Sequence, residues 1–106
     1  MTPGELIPAA EQVEHWRAVH APWSPMGLDL FAWNPHELAH LVTREGGKVG
    51  WYGNIPQLDG VSIWTAPSFR PGFVSLRQGG REVLALDLRA NLVAAGMAPQ
   101  PREVPA

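Results

Sequence analysis

The hydrophobic period of this 106-residue chain changes once, at Lys48. Before that point apolar residues recur at helical spacing, and after it they fall into short runs rich in β-branched and aromatic residues. Ala9, Val13, Trp16 and His20 recur at i, i+4, i+7 and i+11 and share one face, which predicts a helix over Pro8–His20 with Glu11, Glu14 and Arg17 on its wet side. Two prolines and a glycine in Ala21–Gly27 then break it. A second helix over about residues 35–45 carries a full set of boundary signals. Asn34 is the N-cap, Pro35 the first helical residue, Glu37 closes a capping box, and Trp33 and Leu38 form a hydrophobic staple, while Arg44 and Gly46-Gly47 mark the end. Beyond Lys48 four strands are predicted, over Lys48–Tyr52, Val61–Thr65, Gly72–Arg77 and Arg81–Leu86. Gly79-Gly80 supplies the positive φ of a tight hairpin turn, setting Arg77 opposite Glu82 and Leu76 opposite Val83 or nearby. Asp87 caps a short helix over Leu88–Ala95 that stops at Gly96, and a Pro-rich tail follows from Met97. The expected fold is therefore α+β: N-terminal helices, then a small four-stranded, mainly antiparallel sheet and a short C-terminal helix. One domain spans 1–106, with its folded core at about 5–97.

Composition narrows the function classes. The absence of cysteine excludes disulfide frameworks and thiolate metal sites. A net charge of −2, distributed as −3 over residues 1–50 and +1 over 51–106, provides no basic stripe for a phosphate backbone, so nucleic acid is not an expected partner. No apolar run approaches the ~20 residues of a membrane span, and the acidic start lacks a basic leader region. The expected location is the cytoplasm, or a virion if a bacteriophage encodes the chain.

One string has the look of chemistry. His36-Glu37-Leu38-Ala39-His40 fits the HExxH pattern, which on a helix sets two imidazoles on one face to hold zinc with a glutamate beside them as general base. These five residues resemble the zinc-binding helix of zincin metallopeptidases, and the wording HELAH is similar to that of the ImmA/IrrE-type metallopeptidases. The resemblance implies His36 and His40 as zinc ligands and Glu37 as the base of a zinc-dependent hydrolase. Helical geometry points elsewhere. The apolar stripe is Leu38, Leu41 and Val42, so the two histidines face solvent, and Glu37 already has a place in the capping box. The position six after His40 is Gly46, and Glu45 lies on the apolar side, which leaves His15, His20, Asp59 or Asp87 as distant third ligands.

Five tryptophans are a high load for a domain of this size. Trp16 and Trp33 fit core roles, whereas Trp23, between two prolines, is expected to be exposed. In the last hairpin strict alternation puts Val74, Leu76, Val83 and Ala85 on one face and Phe73, Leu84 and Leu86 on the other, so both faces are expected to be apolar and in need of cover. Two Pro-bounded loops, Gly53–Gly60 and Ala66–Gly72, carry apolar tips and, in the second, Phe69 and Arg70. The expected function is a non-enzymatic protein-interaction or assembly module, such as a small structural or inhibitory protein of a bacterium or bacteriophage. Its partner is a protein or a second copy of the chain, and its candidate anchors are Trp23, Trp51, Trp64, Phe69 and Arg70. The alternatives are the zinc hydrolase and a carbohydrate-binding module that stacks exposed Trp rings on sugars.

Overall fold

The computed structural model describes residues 6–20 and 27–97, without the side chains of Trp16 and His20. The breaker at 21–26, with Trp23, and the tail at 98–106 lie outside the described residues. The fold is α+β, with the elements in the order α1 (Ala9–His20), β1 (Leu28–Ala32), α2 (Pro35–Arg44), β2 (Gly50–Tyr52), β3 (Ile55–Leu58), β4 (Val61–Thr65), β5 (Phe73–Gln78), β6 (Arg81–Asp87) and α3 (Arg89–Ala94). The strands form one mixed sheet in the order β2-β3-β4-β1-β5-β6.

The sheet has six strands rather than four, and the two helices do not both precede it. The strand absent from the sequence reading, β1, runs between them and is central in the sheet, pairing parallel with β4 and antiparallel with β5. Its burial alternates, but its residue types do not, because Phe31 is apolar on the side of Asp29, and a run of five residues is short for a pattern read from residue types alone. The second added strand, β3, replaces half of the expected Gly53–Gly60 loop. Pro56 disguised it, since proline donates nothing to a ladder; here Pro56 lies beyond the last β3–β4 pair, at Gln57 and Ser62.

Helix boundaries follow the local signals closely. Asn34 Oδ1 accepts from the backbone N–H groups of His36 at 3.1 Å and Glu37 at 3.2 Å. At the other end Gly46, at φ 87°, donates to Thr43 O and Gly47 donates to Val42 O, so the last carbonyls of α2 are capped in the left-handed turn that glycine adopts without strain. Asp87 Oδ1 accepts from Arg89 N at 3.0 Å and so caps α3 from one residue further out than a standard N-cap.

All three helices bury their apolar residues in one cluster. Ala9 and Val13 from α1, Leu38, Leu41 and Val42 from α2, and Leu88 and Leu92 around α3 meet Leu28, Leu30, Ala32, Val61, Ile63, Val74 and Leu76 of the strands. Trp33 and Leu38, the expected staple pair, both belong to it. A partly buried polar clamp centred on the buried Asn91 ties the helices together. Glu45 accepts from Ala9 N through Oε1 and from Asn91 Nδ2 through Oε2, and Gln12 donates to Asn91 Oδ1. Gly72 closes the opposite corner: at φ 94° its Cα faces the start of α3 so closely that an added Cβ would sit 2.9 Å from Arg89 N.

The β5–β6 register corrects the expected faces. Arg77 does lie opposite Glu82, but a bulge follows, and Leu76 pairs with Leu84 rather than Val83. One extra residue on β6 shifts the alternation by one. Leu84 and Leu86 therefore join Val74 and Leu76 on the helix side, with Val83 also packed against the core, while Phe73, Ser75, Arg77, Glu82 and Ala85 share the other side. The hairpin has one apolar face and one mixed face, and two covers are not needed.

Candidate interaction surface

Because the helices all lie on one side of the sheet, the other side is open among the described residues, and the ladders fix which residues it presents. Phe31 is opposite Trp64 on β4 and opposite Ser75 on β5, and Ser75 is opposite Ala85 on β6. One row across four strands thus reads Trp64, Phe31, Ser75, Ala85. The adjacent row reads Asp29, Arg77, Glu82 over β1, β5 and β6. Toward the other edge the same face carries Ser62, Gln57, Ile55 and Tyr52. Tyr52 is 73% exposed and Trp64 40%, large values for aromatic rings in a sheet.

Polar contacts hold this face in place. Trp64 Nε1 donates to Asp29 Oδ1 at 3.0 Å, Ser75 Oγ donates to Glu82 Oε1 at 2.6 Å, and Gln57 Nε2 donates to Ser62 Oγ at 3.1 Å. The Arg77 guanidinium lies 5.2 Å from the centre of the Phe31 ring, within cation–π range, and its Nε donates to Ser75 Oγ at 3.4 Å. Its register neighbours Asp29 and Glu82 are carboxylates, yet Arg77 is in neither ion pair of the described residues, which join Arg17 to Asp59 and Arg89 to Asp87. The outcome is a half-buried charged fork held at its Nε and over a ring.

The five anchors expected from sequence do not form one patch. Trp64 is on the open face. Trp51 pairs with Pro56 and points to the helix side of the edge strand, where its ring lies 5.9 Å from that of His36. Phe69 stacks edge-on against Phe73 at 4.8 Å and packs against the core, and Arg70 is exposed in the β4–β5 loop. Trp23 is outside the described residues. Phe31, Arg77 and Tyr52 were not singled out as contact residues, and for Phe31 the sequence holds no local signal, since it is one of four apolar residues in Leu28–Ala32.

His36 and His40 are both exposed on α2, and Glu37 is half-buried in its first turn. Among the described residues no group of three His, Asp or Glu side chains stands together to hold a metal. Both oxygens of Glu45 are engaged in the clamp, Asp59 is paired with Arg17, and Asp87 caps α3, so these carboxylates have structural partners. No described helix is long and apolar enough to cross a membrane. Comparison with protein-family models, with curated proteins and with solved structures finds no match to this chain.

Proposed function

We propose that this chain is a non-enzymatic protein-interaction or assembly module whose contact surface is the open face of the sheet. The observation that carries the reading is the one-sided placement of the helices, which leaves Phe31, Trp64 and Tyr52 on a flat face with no cover among the described residues. Aromatic rings and an arginine are the side chains that contribute most where proteins meet, since they bury large areas at a small entropic cost. The polar contacts beneath them lower that cost further by fixing the rings in advance. The test is the double variant Tyr52→Ala/Trp64→Ala, examined for self-association by sedimentation and for co-purifying proteins by affinity capture. Loss of the wild-type associations in a variant with an unchanged far-UV spectrum supports the face as the contact surface. Associations identical to wild type remove it.

A carbohydrate-binding reading has one observation in its favour, the presence of exposed Tyr52 and Trp64 on the same face as the amide of Gln57 and the hydroxyl of Ser62. Titration with oligosaccharides while following tryptophan fluorescence separates the two: a saturable change that Trp64→Ala abolishes favours the sugar.

A further inference from the structure

We infer that the open face is built to pair with the same face of a second copy of this chain, forming a twofold dimer of stacked sheets with the helices outermost. This deepens the interaction reading and depends on it. The argument rests on the two rows fixed by the strand register. In Trp64–Phe31–Ser75–Ala85 the two large rings occupy one half and the two small side chains the other. A twofold axis running along the strands between β1 and β5 reverses the row in the second copy. Trp64 then faces the exposed Ala85 of the other copy, so the most exposed ring of the row meets its one exposed small side chain, while Phe31 lies over the position of Ser75, which is itself buried. The same axis acts on the charged row. Arg77 comes over Asp29 of the second copy, and Asp29 over its Arg77, so both contacts are attractive.

One operation satisfying size and charge together is what an isologous interface requires, because every residue must suit its own symmetry mate's neighbourhood. It also accounts for the state of Arg77. The guanidinium is oriented by Phe31 and Ser75 and is in no ion pair among the described residues, although Asp29 and Glu82 flank it. An axis between β1 and β5 overlaps four strands, β4, β1, β5 and β6, and leaves β2 and β3 outside the contact. Four strands spaced ~4.8 Å apart, with about five residues of ~3.4 Å each, give roughly 19 by 17 Å, below the ~800 Å² that each partner contributes to a standard interface, so the dimer is a weak one. Sheets stacked in this way keep their strands aligned within about 30°, which preserves the facing of rows close to the axis.

The test is a charge swap read by sedimentation equilibrium or native mass spectrometry over a concentration series up to the millimolar range. Wild type is expected to dimerise. Arg77→Asp places two carboxylates over each other at both contacts and Asp29→Arg places two guanidiniums, so each single variant alone should dimerise at least about tenfold more weakly. Mixed in equal amounts, the two variants should form a heterodimer, because both contacts then join unlike charges. The mixing result guards against misfolding, since an unfolded variant cannot rescue its partner. A wild type that stays monomeric throughout overturns the dimer and leaves the broader interaction reading standing if Tyr52→Ala/Trp64→Ala still abolishes capture of another protein. A wild-type dimer that both single variants retain at full strength, or singles that weaken without rescue on mixing, also overturns it.

Discussion

The two faces of the sheet are made by the same strands and differ in what their side chains are asked to do. On the helix side Leu30, Ile63, Val74 and Leu76 are 2% exposed or less and belong to one apolar cluster that includes residues of all three helices. On the open side the residues one position away, Phe31, Trp64, the buried Ser75 and Arg77, make cation–π and hydrogen-bond contacts with one another and with Asp29 and Glu82. The helix side is stabilised by removal of area from water, a non-directional effect that tolerates apolar exchange as long as volume is kept. The open side is ordered by directional contacts, which fix positions while contributing little to folding. Stability is thereby assigned to one surface of the sheet, and the proposed recognition to the other.

Substitutions along the strands can break this contrast. The largest effect is expected for Leu30→Ala, which leaves a cavity at the centre of the sheet and should cost about 3 kcal/mol, within a range of roughly 2–5, in urea denaturation. Gly72→Ala comes next, at about 2 kcal/mol, because the new methyl group must displace the backbone of Arg89 at a φ that L-residues avoid. A thermal melt combined with amide exchange should show the loss concentrated where β5 meets α3. Asn34→Ala removes the acceptor for two N–H groups of α2 and should lower stability by about 1 kcal/mol, with Asn34→Asp restoring most of it. The smallest effect is expected for Tyr52→Ala, within about 0.5 kcal/mol in the same denaturation assay. If Tyr52→Ala were to destabilise the monomer as much as Asn34→Ala, the open face would be part of the folding core and the division between the faces would fail.

What could be read along the chain varied with how local its cause was. The α2 boundaries were legible because Asn34, Pro35 and Gly46-Gly47 act within one turn of the bonds they satisfy. The Gly79-Gly80 hairpin was legible for the same reason, and its Arg77–Glu82 pair is observed. The parallel partner of β1 lies beyond α2 and the β2–β3 hairpin, so nothing near Leu28–Ala32 announces that this short run becomes a central strand. The bulge after Arg77 is equally silent, because a one-residue offset between strands changes no residue type while exchanging the faces of everything after it. The candidate surface inherits both effects. Trp64 was visible as an aromatic in a strand, but Phe31 and Arg77 became its neighbours only through pairings of long range. Glu45 shows the same limit, since its sequence position marks a helix end and its carboxylate is set by residues of α1 and α3.

The sequence by itself determined the fold class, the three helices with Asn34 and Asp87 as capping residues of the second and third, the last hairpin, and the absence of disulfides. Each of these rests on interactions that span a few residues or on composition alone. Tertiary structure decided the number and order of the strands, which face the helices cover, and therefore which aromatic and charged side chains share the open surface. Those outcomes depend on register between strands distant in the chain, where the free energy belongs to the pairing and to the burial it allows rather than to either segment alone.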